Sequence, residues 1–300
     1  MIGSGKAAEV ASRRQASVDG KKIAKLALLG LEQYSGIEWL RDRVWTARRT
    51  LPAPVLLFHR VTDDIPEDGL TVSKQRFRAI VRNLRRLYRP MSLTGLLDHM
   101  EHGQMWPART VVVTFDDGYR DNYEHAAPIL AESAVPATFF VTADAIGSEC
   151  VMSWDEQLRG RVPWMNWSQV RELRAQGFEI GSHTLMHSDL GKVRAPRAWE
   201  EISTSKTRLE DALGAGVSLF AYPFGGRKNI SEENRDLVRR AAYRCCCSAY
   251  GGFVTLGSDP FNLQRIPVNN WFSDPHDLDF EIRIGAPWRW LQIPGDRPVG

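Results

Sequence analysis

The sequence lacks long apolar runs, has few cysteines and carries little net charge. Its longest proline-free apolar run, Leu26 to Leu31, falls far short of the ~20 residues that a membrane-crossing helix needs, so no transmembrane helix is expected. Lys25 interrupts the one candidate secretory core, and Glu32-Gln33-Tyr34 after it lacks the small residues of a cleavage site. A cytoplasmic location is the expectation. Four cysteines, three of them consecutive at Cys245 to Cys247, make a poor disulfide framework for 300 residues and suit a reducing compartment. Adjacent strand residues point to opposite faces, so the triplet is expected to be buried packing in the strand Tyr243 to Ala249 rather than a metal clamp. With 43% hydrophobic and 25% charged residues at net +3, collagen, coiled coil and wholesale disorder are excluded.

The small net charge hides an uneven distribution. Residues 1–50 hold ten Lys and Arg against five Asp and Glu, a net +5 that leaves 3 − 5 = −2 on the rest. Lys21 to Gly30 and Ile37 to Trp45 mix apolar and basic positions as amphipathic helices do, with a break near Ser35-Gly36. The expected organisation is a basic helical arm over 1–50 and a main domain over 51–300. Such an arm suits peripheral contact with an anionic membrane surface or a helical collar on the main domain. No base-reading motif accompanies the charge, so no nucleic-acid partner is expected.

Beyond Pro52, short β-rich runs alternate with helical ones. Val55–Phe58, Thr110–Phe115, Ala137–Thr142, Phe178–Ser182 and Ser218–Tyr222 read as strands. Phe77–Leu87 with a Ser73 cap, Asn122–Glu132 with Pro128 inside it, Trp167–Ala175 and Ala198–Leu213 read as helices. This alternation predicts an α/β fold with a mainly parallel sheet, either a barrel or a doubly wound sheet.

Chemistry-bearing residues gather at the strand ends. Asp116-Asp117-Gly118 follows a buried strand, where a parallel barrel keeps its functional groups. Adjacent carboxylates repel, and a cation relieves the repulsion. His183 and His187, four residues apart just after another strand, would face one way on a helical turn. Two imidazoles and a carboxylate with open positions form the ligand set of a hydrolytic metal site.

Three ordered motifs, Thr114-Phe-Asp-Asp-Gly118, His183-x-x-x-His187 and Phe220-Ala-Tyr-Pro-Phe-Gly225, resemble those of the polysaccharide deacetylases, carbohydrate esterase family four. The resemblance covers about residues 55 to 270. It implies an irregular (β/α) barrel with fewer than eight strands, a divalent metal, usually zinc, held by Asp117, His183 and His187, and Asp116 as general base on the metal-bound water. Two departures stand out: Ala221 occupies the place of the usual third-motif arginine, and no late Leu-x-His segment supplies the usual acid histidine. A permuted subgroup that includes deacetylases of biofilm poly-N-acetylglucosamine places the acid histidine first, and Val55-Leu-Leu-Phe-His59-Arg-Val61 is similar to that segment. The same analogy implies His59 as general acid, Arg265 in Leu263-Gln-Arg-Ile-Pro-Val268 as the substitute arginine, and the Phe224 N–H as oxyanion donor.

The implied activity is removal of N-acetyl groups from N-acetylhexosamine units of a polysaccharide or a lipid-linked glycan precursor. The alternatives are an impaired glycan-binding or scaffolding protein of the same fold, or an amidohydrolase of a small non-sugar substrate. Substrate contacts are expected at Tyr222, Pro223 and Phe224, and at Trp154 and Trp164 in the long insertion Ala143 to Asn166, which is placed to roof a cleft.

Overall fold

The computed structural model describes residues 25–31, 35–270, 272 and 275–285. Lys21, Lys22 and the rest of 1–24 and 32–34, which belong to the expected arm, lie outside the described residues.

Seven parallel strands build a barrel: β1 (Ala53–Phe58), β2 (Thr110–Phe115), β3 (Thr138–Val141), β4 (Glu179–Ser182), β5 (Leu219–Ala221), β6 (Cys245–Cys247) and β7 (Ile266–Pro267). Strands β1 to β6 pair in sequence order. The segment 263–268 then closes the ring. Leu263 bridges to Cys247 on one side, with Leu263 N–H donating to Cys246 O at 2.9 Å, while β7 pairs with β1 on the other and Val268 N–H reaches Leu57 O at 2.8 Å. Strand count and closure agree with the barrel of fewer than eight strands that the sequence implies.

Near-continuous apolar strands are buried on both faces, as parallel strands covered by helices must be. One parity (Leu56, Phe58, Val113, Phe115, Phe139, Phe220, Cys246) packs outward under helix residues such as Phe77, Leu130, Leu173 and Ile202. The other (Val55, Val112, Phe140, Leu219, Ala221, Cys245, Cys247) fills the interior. Helix Leu93–Glu101 packs into this inner cluster through Leu93, Leu96 and Leu97, and Glu179 at the start of β4 accepts its first N–H groups. It therefore plugs the end of the barrel where the strands begin. The cysteine triplet alternates across the wall as expected, and all four cysteines are free thiols.

Matched register stacks one aromatic row. Phe58 pairs with Phe115 and Phe115 with Phe139, so their rings lie 5.4 and 4.8 Å apart, and Phe178 meets Phe139 edge-on at 5.4 Å.

Two local expectations need correction. The helix read over Asn122–Glu132 is a π-helical turn, Asn122–Ala126, followed by an α-helix, Ala127–Glu132, that opens with Pro128. Proline lacks the N–H and its ring collides with the carbonyl four residues back, so the chain widens one turn upstream. The helix Ala195–Leu213 starts three residues earlier than Ala198, because Pro196 serves as a first-turn residue.

The described part of the arm is a helical stretch over 25–31 and the helix Ile37–Ala47, separated by Gly36 at φ 73°. Glu38 pairs with Arg109, just before β2, at 2.7 Å, which seats the second helix at the strand-start end of the barrel.

Phe139→Ala removes a fully buried ring from the aromatic row. An expected loss of about 3–5 kcal/mol of unfolding free energy is checked by the shift of the urea midpoint at unchanged m-value.

Candidate active site

At the opposite end of the barrel, three strands release polar residues just past their ends: His59 follows β1, Asp116 and Asp117 follow β2, and His183 follows β4. Arg265, immediately before β7, reaches Asp116 with its side chain. Backbone pairing extends far enough to fix them: Asp116 N–H donates to Phe58 O at 3.0 Å, and His183 N–H donates to Val141 O at 2.9 Å.

Asp117, His183 and His187 converge so that one donor atom from each lies within 4.8 Å of the others. Both imidazole Nε2 atoms stand 3.3 Å from Asp117 Oδ1, and all three residues are buried. That oxygen has no hydrogen bond of acceptable geometry, although it is shut away from water. A buried, unsatisfied carboxylate oxygen facing two ring nitrogens is the donor set that a divalent cation completes. His183 Nδ1 lies 2.9 Å from Ala221 O, which fixes the tautomer that turns Nε2 toward Asp117. The residues therefore fit the metal that the motifs imply.

The two imidazoles converge by a different route from the one the spacing suggests. Residues 183–187 form no helical turn; they are a loop with Thr184 at φ 66° and His187 at φ 57°. Asp117 at φ 78° and Phe224 at φ 61° are also left-handed, so four of the eight described non-glycine residues with positive φ stand at this site. Such strain persists only where surrounding contacts over-determine it. Glu201 supplies part of that constraint. Its carboxylate, fully buried on helix Ala195–Leu213, accepts Leu185 N–H at 3.0 Å, Met186 N–H at 2.9 Å and the Ser188 hydroxyl at 2.7 Å, and Arg197 pairs with it at 2.6 Å. Beside Asp117, Gly118 sits at φ 96° where a Cβ would meet Ile146 at 3.0 Å and Val141 at 3.2 Å, so only glycine turns the chain there.

Arg265 grips Asp116 with both prongs, Nη1 to Oδ1 at 2.8 Å and Nη2 to Oδ2 at 2.7 Å. The guanidinium is fully buried, anchored on Ser248 O at 2.5 Å and Thr114 Oγ1 at 3.2 Å. Burial pushes the Asp116 carboxyl up, but Arg265 and then His183 outweigh it and hold the group below its ordinary value. For Asp117, burial is likewise overcome by the facing His183 and His187, which hold it well below the ordinary range. His183 is raised: burial disfavours its cation, yet Asp116 and Asp117 favour it more. His59 is half-buried and feels both carboxylates, but burial prevails and lowers it. Asn122 steadies it by donating to its backbone carbonyl at 2.6 Å.

The residues expected to touch substrate separate into two groups. Phe224 is 52% exposed and stands edge-on to the His187 ring at 4.9 Å, while the half-buried Trp154 lies 4.7 Å from the same ring. Together they rim the metal ligands. Pro223 is buried beneath them in the tight turn where Phe224 and Gly225 are both left-handed. The Phe224 N–H has no acceptor among the described residues. Tyr222 and Trp164 have no free face. Tyr222 is 1% exposed, packed on Phe220 at 5.4 Å with Cys246 Sγ donating to its hydroxyl, and Trp164 is 4% exposed, stacked on Tyr119 at 4.6 Å. Strand parity turns Tyr222 outward into the helix layer, which explains the correction.

Sequence reasoning missed the support beneath Trp154. Trp154 Nε1 donates to the Tyr119 hydroxyl at 3.1 Å, Tyr119 donates to Asp155 Oδ2 at 2.6 Å, and Asp155 pairs with the buried Arg60, which also reaches Thr71 at 2.9 Å and Asp68 at 2.9 Å. It missed Glu201 too. The available signal was position: Glu201 shares the buried stripe of Ala198, Ile202, Ser205 and Leu209, where a solvated carboxylate has no place.

A seven-stranded parallel barrel with an Asp-His-His metal cradle beside an arginine-clamped aspartate defines a class of hydrolase-like barrels. The family model described as polysaccharide deacetylase matches residues 104–246, so His59 and Arg265 both fall outside the matched segment. The Bacillus subtilis protein YxkH, named provisionally as a polysaccharide deacetylase, is 23% identical over 217 residues, covering 72% of this chain and 71% of its own length. The Staphylococcus aureus poly-β-1,6-N-acetyl-D-glucosamine N-deacetylase is 23% identical over 189 residues, and the match spans 60% of this chain and 61% of that enzyme. Among solved structures, the Streptococcus pyogenes deacetylase PplD, in complex with acetate, shares the fold at a TM-score of 0.65 and 21% identity, covering 76% of this chain and 97% of that one. The chain is similar to the polysaccharide deacetylases, whose family model matches just under half of it.

Two outcomes follow from the site. Glu201→Gln leaves one acceptor for several donors and loosens the ligand loop, so zinc affinity falls by about 10–100-fold, read by competition with a chromophoric chelator. Arg265→Met leaves Asp116 buried without a cation and costs about 3–5 kcal/mol; Asp116→Asn added to it recovers part of that loss in the same denaturation assay.

Proposed function

We propose that the chain is a divalent-metal-dependent N-deacetylase acting on N-acetylhexosamine units of a polysaccharide. The observation that carries the reading is the bidentate Arg265–Asp116 pair set beside the Asp117, His183 and His187 cradle. It places an ionised, immobile base next to a cation site, and hydrolysis of an amide needs both. The name of the staphylococcal relative supports an N-acetylated glucosamine polymer as substrate class.

Asp117, His183 and His187 would hold the metal, which supplies Lewis acidity to a water and to the acetyl carbonyl when bound. Asp116, kept as the carboxylate by Arg265, accepts the proton of the attacking water. The Phe224 N–H, aimed by two successive left-handed residues, donates to the oxygen that becomes negative. His59 gives its proton to the departing nitrogen. The opposing pulls of burial and of the two carboxylates set its acidity. Phe224 and Trp154 present apolar ring faces at the rim, suited to the C–H face of a pyranose. The clamp by Arg265 supports this reading over that of an impaired relic, which drew on the missing arginine at Ala221.

The test is acetate release by the purified full chain from β-1,6-linked N-acetylglucosamine oligomers. Release stops with chelator and returns with zinc. Asp116→Asn and His59→Ala each lower kcat by about 10²–10⁴-fold. Release that is indifferent to chelator and to Asp116→Asn would overturn the proposal. Protonation of Asp116 sets the acid limb of the rate profile, because activity is lost as pH falls through its folded pKa. Arg265 depresses that pKa, so Arg265→Met moves the acid limb to higher pH.

A further inference from the structure

The helix Ile37–Ala47 is inside out. Its charged side faces the protein: Glu38, 6% exposed, pairs with Arg109 at 2.7 Å and Arg283 at 3.0 Å, and Arg41 donates to the Arg283 carbonyl at 3.2 Å. Its apolar side faces solvent, with Ile37, Trp39, Leu40 and Val44 exposed by 57, 61, 58 and 40%. At 100° per residue these four share one half of the helix. The preceding helical stretch over 25–31 likewise exposes Leu26, Leu28 and Leu31. Seven of the nine exposed large apolar residues described therefore belong to the arm, and the other two, Met186 and Phe224, lie in the catalytic mouth.

We propose that this face of the arm docks on an anionic lipid surface. Folding normally buries such side chains, and a contiguous apolar face left in water marks an interaction site. The charges around it select the occupant. Both acids of the helix, Glu38 and Asp42, turn inward, while Arg43, Arg48 and Arg49 are exposed. Arg43 stacks over Trp39 at 4.8 Å, so cation and interfacial ring are presented together. Exposed tryptophan and leucine flanked by arginine is the pattern of a helix lying in a headgroup layer. A second copy fits less well, because two arms of net +5 would repel on meeting face to face.

The position of the arm gives the contact an orientation. It sits where the strands begin, and the cradle lies where they end, separated by the length of β2, about 20 Å at ~3.3 Å per residue. Docking therefore leaves the catalytic mouth open to solvent.

The experiment is co-sedimentation of the full chain with vesicles of phosphatidylglycerol and phosphatidylcholine, and with phosphatidylcholine alone. Wild-type protein is expected to partition at least about 10-fold more strongly onto the anionic vesicles, and a W39S/L40S variant to lose about 10-fold or more of that binding. Arg43→Glu weakens binding to anionic vesicles and leaves the neutral ones unaffected. Each variant keeps wild-type thermal unfolding and, with soluble oligomers, wild-type acetate release. Binding equal in W39S/L40S and wild type overturns the proposal, as does absence of binding to anionic vesicles. A dimer in light scattering that W39S/L40S dissolves, without vesicle binding, assigns the face to a second copy and overturns it too. Vesicle binding needs no turnover, so its failure and failure of the deacetylase reading are separately visible.

Discussion

Asp116 and Asp117 are adjacent, buried and held as carboxylates, and water cannot reach either side chain well enough to stabilise its charge. Side by side they repel, and in a low-dielectric interior that repulsion would protonate one of them. The structure gives each carboxylate its own positive partner. Arg265 takes both oxygens of Asp116, and the imidazoles of His183 and His187 face Asp117. Under the proposed function the difference in partner becomes a difference in role: a clamped group keeps its charge and exchanges protons, whereas a coordinated one would give up its lone pairs to a metal.

This division depends on how the strands pair. Asp116 and Asp117 leave β2, His183 leaves β4, and Arg265 enters from the segment that joins β6 to β1. Arg265 stands immediately before β7, which pairs with β1, and β1 pairs with β2, so this run of neighbours carries the guanidinium to Asp116. Half of the described left-handed non-glycine residues stand in the turns around the site, and the buried carboxylate of Glu201 holds the turn that carries Thr184 and His187.

Much of this was legible in the sequence because it is local. Buried runs such as Thr110–Phe115 announce strands, and a residue at a strand end inherits its direction from the strand, so Asp116, Asp117 and His183 could be placed by pattern alone. The helical turn proposed for 183–187 failed because left-handed φ at Thr184 and His187 leaves no trace in residue type. Tyr222 was misplaced for a related reason: parity decides which face a side chain takes, and a one-residue shift in where a strand ends reverses it. Arg60 and Asp155 make sense only through each other, 95 residues apart in the chain. Arg265 is intermediate. Family resemblance suggested it, but neither Leu263 nor Val268 beside it signals that this short segment closes a barrel.

That closing segment is also the last barrel strand among the described residues. A nascent polypeptide ending before residue 263 already contains the Asp117, His183 and His187 triad, yet its Asp116 has no guanidinium and the ring has a gap. Asp116 thus gains its guanidinium partner only after nearly all of the barrel has been synthesised, so the Asp117, His183 and His187 cluster is encoded before the clamp on Asp116 is complete.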